Sequence, residues 1–237
     1  MKLFNRALAL FALLPLTGVQ GQQASTSATS TAPKRTDVYH VFMVKASLGK
    51  AKELEDWIKQ PDRQHPDEKG IVLRHQDGDS WDYVAIVHIG AKATVDLNGT
   101  PLTPQQRMLT EWHTDTFVAG PSWSDFSKAL GLDQGSKSAG AVYVVSDYRA
   151  APGHRDELEK MLSEATPGDT ASGNVLLAHL EGSSWNFLGV VRYDSWDKYA
   201  EGEKNSIAQT GKSAGGWYEL RQHCALHHDT LTDRVIP

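Results

Sequence analysis

LRHQDGDSWDY (Leu73–Tyr83) and LAHLEGSSWNF (Leu177–Phe187) are the two stretches on which the reading of this chain turns. They stand 104 residues apart and share Leu, His, Gly, Ser and Trp at the same five places. Each runs into Asp77-Gly78-Asp79-Ser80 or Glu181-Gly182-Ser183-Ser184 and then resumes with β-forming residues. Asp-Gly is a hairpin signal, because glycine accepts a positive φ at no steric cost. Each stretch therefore reads as two antiparallel strands joined by a tight turn.

Working outward, Val38–Gly90 aligns with Val142–Asp194 without a gap, and 14 of the 53 pairs are identical. Chance would give roughly three at average residue usage. His113-Thr114-Asp115-Thr116 answers His227-His228-Asp229-Thr230 at an offset of 114, so the second copy carries about ten extra residues near Glu201 to Gly216. Duplication is the reading that accounts for both matches. The β-branched and aromatic runs Val38–Val44 and Val142–Tyr148 open each copy as strands. Helices follow Gly49 and Gly153, with Leu54, Trp57 and Ile58 on one face, and Leu158, Met161 and Leu162 on the other copy's. A polar loop (61–69 or 167–173) leads into the hairpin strands, Ile71–Gln76 and Trp81–His88 in the first copy. A second helix begins at Thr103-Pro104, where Thr caps and Pro suits the first turn, with Met108, Leu109 and Trp112 as its buried face. A short last strand begins near Asp115 or Asp229. Between the copies, Ser124–Leu130 is an extra helix ended by Gly131, followed by a flexible joint at Gly135–Ser138.

The order is β-α-β-β-α-β, twice, which is the ferredoxin-like split βαβ unit. An α+β chain of two such tandem units, packed sheet to sheet, resembles the dimeric α/β-barrel superfamily with its pair fused. That group holds antibiotic-biosynthesis-type monooxygenases, muconolactone-isomerase-like and EthD-like proteins, chlorite-dismutase-like haem proteins and stress-responsive barrel proteins. The resemblance rests on element order and the repeat over Val38–Val235, with no signature motif, so it speaks to fold more than to function. It implies that a second sheet covers each sheet within one chain, so a monomer is expected. It also implies a small-molecule ligand between the halves, oxidised or isomerised without an organic cofactor. Alternation along the third strand then puts Val84, Ile86, Leu188 and Val190 under the helices. Trp81, Tyr83 and Ala85, with Trp185, Phe187 and Gly189, are expected between the sheets, lining a cleft.

The first residues read as a leader (1–21). Lys2 and Arg6 precede an apolar run, Ala7–Val19, too short to span a bilayer, and Val19-Gln20-Gly21 suits a signal peptidase. A periplasmic or secreted location follows as the expectation. Residues 22–36, rich in Gln, Ser, Thr and Ala, read as a disordered tether to copies at 37–120 and 141–237, with a linker at 121–140. The net charge is -5, or -7 without the leader (22 basic against 29 acidic residues), with no basic stripe. Nucleic acid and anionic membranes are poor partners for such a surface. Cys224 is the only cysteine, so no intrachain disulfide exists and an apolar core must hold the fold. Asn98-Gly99-Thr100 fits a glycosylation sequon, of consequence only in a eukaryotic secretory host.

The candidate site residues come from the repeat. His75 and His179 are equivalent, as are His113 and His227, each two residues before an Asp. One reading makes His75 and His179 proton-transfer groups in the cleft, with Trp81, Tyr83, Trp185 and Phe187 stacking on a ligand and His113 and His227 contributing. The other reading keeps them for structure, the first pair bonding the hairpin turn and the Asp residues capping a turn. Aromatics in a barrel can likewise simply fill it. His223 and His227 would suit zinc if both lay on a helix, but no third ligand has matching spacing, so no metal is assigned. Cys224 reads as a packing residue. No hydrolase or nucleotide-binding motif is present. A non-catalytic interaction or stress-response module and a haem-binding barrel stand as the alternatives.

Overall fold

The computed structural model describes residues 34–60, 69–93, 101–164, 169–210 and 216–235. The expected leader, most of the tether, the loop at 61–68 and the Asn98 sequon lie outside them. Along the chain run β1 (Asp37–Ala46), α1 (Ala51–Ile58), β2 (Lys69–Asp77), β3 (Tyr83–Ala91), α2 (Pro104–Leu109) and β4 (Thr110–Gly120). After α3 (Trp123–Ala129) and a 3-10 segment, Leu132–Ser138, come β5 (Val142–Ala150), α4 (Arg155–Ser163), β6 (Gly173–Glu181) and β7 (Phe187–Tyr193). The chain continues with α5 (Trp196–Gln209), α6 (Trp217–His223) and β8 (Cys224–Arg234).

The eight described strands close into one antiparallel barrel in the order β1-β3-β2-β8-β5-β7-β6-β4. Read by halves, this is β4-β1-β3-β2 and β8-β5-β7-β6, the same order each time. Two seams join the halves, β2 to β8 and β4 to β6, so no edge strand is left open. The hairpin turns lock across these seams. Gly78 (φ 124°) packs on the β8 backbone at Asp229 and Thr230, and Gly182 (φ 101°) on the β4 backbone at Asp115 and Thr116. No side chain fits at either turn, which explains why both positions carry glycine.

The barrel is filled. Val41, Leu73, Val84, Ile86, Tyr143, Val145, Leu177, Leu188 and Val190 form one buried cluster drawn from both halves. An eight-stranded barrel is just wide enough for such side chains to meet across it. Phe126 and Leu130, from α3 and the residue after it, belong to the same cluster. Helices cover the outside: α1 and α2 over Phe42, Val44, Tyr83 and Ala85, and α4 and α6 over Leu176, Ala178 and Phe187.

This arrangement corrects the expected faces. Val84, Ile86, Leu188 and Val190 point into the barrel, whereas Tyr83, Ala85 and Phe187 lie under the helices. Trp81 and Trp185 are nevertheless inside. The alternation fails because β3 and β7 begin only at residues 83 and 187. Asp82 and Asn186 are still in the turn, where their side chains accept hydrogen bonds from the Ala46 and Ala150 amides at 2.8 Å. Parity counted through that irregular residue gives the wrong face.

The second helix is shorter than its pattern implied. Thr103 caps α2 in a reciprocal capping box with Gln106, as the sequence indicates. But α2 ends at Leu109, and β4 runs 11 residues against β1 from Thr110. Trp112 therefore belongs to the strand and packs on the barrel cluster, while Met108 is 68 % exposed. The added residues of the second half form α5. As α2 gives way to β4, α6 ends at His223 and His227 lies in β8, so the helical His223–His227 pair does not exist. His223 faces His154 instead, Nδ1 to Nδ1 at 3.0 Å. Cys224 is buried in the apolar cluster under α4 and α6, in its expected packing role.

Candidate functional site

His75 and His179 sit at the ends of β2 and β6, each with its ring edge-on to the tryptophan of its own hairpin. The centroid distances are 5.9 Å for His75–Trp81 and 5.4 Å for His179–Trp185. The Ser183 amide donates to His179 Nε2 at 3.0 Å, and burial pushes this imidazole below its ordinary pKa. His179 is thus wired to its hairpin turn. In His75 the corresponding Nε2 is buried without a partner among the described residues.

The other repeat-matched histidines lie on the outer surface of the barrel, in two versions of one framework. In the first half, Asp115 stands between two imidazoles, His40 Nε2 at 2.8 Å and His113 Nε2 at 3.3 Å. Phe42 occupies the space beside them, its ring 5.4 Å from His113 and 6.1 Å from Trp57. In the second half, Asp229 and His227 hold the places of Asp115 and His113. Strand register there sets Ser146 opposite Asp229 and Tyr148 opposite His227. Ser146 thus stands where Phe42 stood, Tyr148 replaces Val44, and Gly189 replaces Ala85.

The substitutions change the chemistry of the second version. Buried Ser146 stands opposite Asp229 in the strand register, and its hydroxyl favours the Asp229 carboxylate. Tyr148 lies flat beside His227, with centroids 5.9 Å apart and planes 15° from parallel. A side chain at residue 189 would touch the Tyr148 ring at 3.4 Å, so glycine keeps that ring's near side open. Burial raises the Tyr148 hydroxyl pKa above its ordinary value. The Asp229 carboxylate, as acceptor beside the ring, raises the His227 pKa, against a desolvation cost. For Asp229, burial acts upward, but His227 and Ser146 bring the net shift below the ordinary carboxylate value.

His227 Nε2 is 3.4 Å from the Asp229 carboxylate, which places the ring proton on that nitrogen. Nδ1 is then the unprotonated nitrogen, and it is buried with no partner among the described residues. Asp229 keeps about half of its side chain exposed (51 %), so the constellation opens to solvent on one side. Glu203 and Tyr199 of α5 add to its field; burial raises both pKa values, and the Asp229 charge contributes. An oriented imidazole, a phenol and a carboxylate on one face of the sheet are a set that can move a proton on a bound molecule.

Of the residues singled out in the sequence, the structure brings His227 into this group and gives His113 its counterpart place. Tyr83 is elsewhere, under α1, donating to Glu55 Oε2 and Ala51 O at 3.2 Å each. Phe187 lies under α4, with the Arg155 guanidinium 4.9 Å from its ring centroid. Trp81 and Trp185 are core residues. Ser146, Tyr148 and Asp229 carry no motif. The signal that could have found the first two was the divergence between copies, Phe42 to Ser146 and Val44 to Tyr148.

A cavity of about 560 Å³ lies apart from this group, at the β2–β8 seam between Glu55, Arg74, Gln76, Trp196 and Asp233. Its walls are already paired. Arg74 makes a forked contact with Asp233 at 2.8 and 3.1 Å, and Lys59 reaches Glu55 at 2.6 Å. Among the described residues no group of three or more His, Cys, Asp or Glu side chains is arranged to hold a metal ion, and no helix is long and apolar enough to cross a membrane.

No known family and no curated protein matches this sequence. Among solved structures it is similar to a "putative monooxygenase" of Lactobacillus acidophilus NCFM. The TM-score is 0.47 at 7 % identity, covering 84 % of this chain and 94 % of that one. At that identity no residue and no reaction carries over.

Proposed function

We propose that this chain is an exported small-molecule-binding barrel made of two divergent copies of one ferredoxin-like unit, with its working site in the second half. His227 acts as the base, Asp229 fixes its tautomer, and Tyr148 and Ser146 orient a hydroxyl or carbonyl of the ligand. The ligand is apolar or aromatic, and the reaction class is isomerisation or cofactor-independent oxidation with dioxygen as the electron acceptor, both of which begin with proton removal. The observation that supports this reading is the half-to-half contrast. Where the first half packs Phe42 against His113, the second half has the small residues Ser146 and Gly189 beside Tyr148, His227 and Asp229. With both seams closed inside one chain, a monomer is the expected state.

The test is an NMR titration of the full chain with a panel of naphthols and hydroxyquinones, following the His227 imidazole. Saturable shifts are expected, and Ser146→Phe, which copies the first half's filling, should abolish them while the fold persists. A panel that leaves His227 unmoved, or shifts that survive in Ser146→Phe, would refute this site.

One set of observations favours a second reading, a non-catalytic interaction module. The barrel is packed through its centre, and Trp217 and Tyr218 on α6 are 53 % and 62 % exposed. Under that reading the naphthol panel does not bind and the α6 aromatics are the contact surface.

A further inference from the structure

Glu55 of α1 and Glu159 of α4 hold equivalent positions, and each meets an arginine from a different source. Glu55 meets Arg74 of β2, Nη1 to Oε2 at 3.7 Å. Glu159 meets Arg35, two residues before β1, in an ion pair whose side chains are each 14 % exposed. The residues at the exchanged places are alanines. Ala178 stands where Arg74 does, and Ala139 stands where Arg35 does. The seam repeats the exchange. Arg74 faces Asp233 across β2–β8, whereas Ala178 faces Ala119 across β6–β4. Ala178 thus leaves a recess beside Glu159 in the second half, which the Arg35 side chain fills, while Ala139 lies at the counterpart place in the first half, beside Glu55 and Arg74.

The walls of that recess suit a planar cation. Glu159 supplies the charge, and the Phe187 ring lies 5.9 Å from the Arg35 guanidinium carbon, within reach of a cation–π contact. Arg155 also touches Glu159, at 3.4 Å. Yet Arg35 is an imperfect occupant: its Nε and Nη2 are buried with no partner among the described residues. Buried unmade hydrogen bonds cost free energy, so this guest is held less firmly than Arg74, which is anchored on a strand and forked onto Asp233.

We propose that the recess between α4 and β6 is a guanidinium-binding site, loaded in cis by Arg35 and open to an external guanidinium when the Arg35 side chain swings out. The site is a separate one from the His227 group, and its failure would leave that reading untouched. The Arg35 side chain then competes with a ligand of the same chemistry, such as an arginine side chain or an alkylguanidine.

The experiment compares the full chain with Arg35→Ala, titrating ethylguanidinium chloride in the millimolar range against tetraethylammonium chloride as the ionic control. The readouts are amide shifts at Glu159 and Phe187 and the melting temperature. Arg35→Ala should lose about 2–4 °C in Tm, bind ethylguanidinium at least tenfold more tightly than the unaltered chain, and lose that binding when Glu159→Gln is added. Arg35→Ala combined with Ala178→Arg copies the first half, and should regain the melting temperature and ignore the probe. Equal binding to the unaltered chain and Arg35→Ala, or none to a folded Arg35→Ala, would overturn the proposal. If Arg35→Ala fails to fold, the double variant must restore folding, and its failure to do so overturns the proposal equally.

Discussion

A methyl group on Gly78 would stand 2.4 Å from the carbonyl oxygen of Asp229 in the opposite half, and Gly182 stands in the same relation to Asp115, at 2.1 Å. Each hairpin turn is therefore a latch across a seam, and its φ, 124° or 101°, excludes a side chain independently of the contact. Alanine at either glycine should destabilise the fold by roughly 1–3 kcal/mol, the range for strained backbone. Gly49→Ala is the internal control, because its φ is 77° but nothing lies within 4 Å. Urea denaturation of the three variants should give midpoints in the order Gly49→Ala above either hairpin variant.

These glycines also show what the sequence could and could not convey. Asp77-Gly78 and Glu181-Gly182 announced hairpins on their own, and the shared Leu, His, Ser and Trp fixed the strands around them. The tight contact that demands glycine is with a strand far along the chain, Asp229 for Gly78 and Asp115 for Gly182, which no local pattern records. The facing of Tyr83 and Phe187 was misread for a similar reason. Asp82 and Asn186 bond to the neighbouring strand with their side chains, and the irregular backbone there breaks the period-two count. Thr110 to Trp112 looked helical by continuation from Met108, but pairing with β1 draws them into β4. The site at His227 was half visible. The His-Asp pair was legible from the repeat, while Ser146 and Tyr148 were legible only as departures from it.

Acidification should act on His227 and His179 in opposite directions. Asp229 raises the His227 pKa above its ordinary 6.5. A raised pKa means the folded state holds the proton more tightly, so the pair's contribution is full below pH 6.5 and lost as pH rises through the folded value. The difference in Tm between the unaltered chain and His227→Gln should be greatest near pH 5 and shrink above neutrality. An NMR titration of His227 should give a midpoint above 6.5 that returns toward it in Asp229→Asn. A midpoint below 6.5 would contradict the Asp229 contact.

His179 carries the reverse sign. Burial lowers its pKa, and its Nε2 accepts a hydrogen bond that a protonated ring could not accept. Its contribution is present above pH 6.5 and lost as pH falls through the depressed folded value. His179→Gln keeps an acceptor without the titration. Its stability should therefore fall less than that of the unaltered chain between pH 6.5 and pH 4.5, and an equal loss in both would show that the turn does not depend on the neutral ring.

Tyr83 tests the corrected facing directly. Its hydroxyl donates to Glu55 and to the Ala51 carbonyl under α1, and burial, reinforced by the Glu55 charge, pushes its pKa up to about 12. Glu55 retains Lys59 at 2.6 Å when that hydroxyl is removed. Tyr83→Phe should then cost only about 1 kcal/mol, the net worth of an ordinary hydrogen bond, with no effect on naphthol binding at His227. Tyr83→Ala also empties a wholly covered site between α1 and the sheet, and should cost about 3–5 kcal/mol as other buried aromatics do. If Tyr83 lined a ligand cleft between the sheets, the two substitutions would instead differ mainly in binding, and chemical denaturation would separate them by less than about 1 kcal/mol.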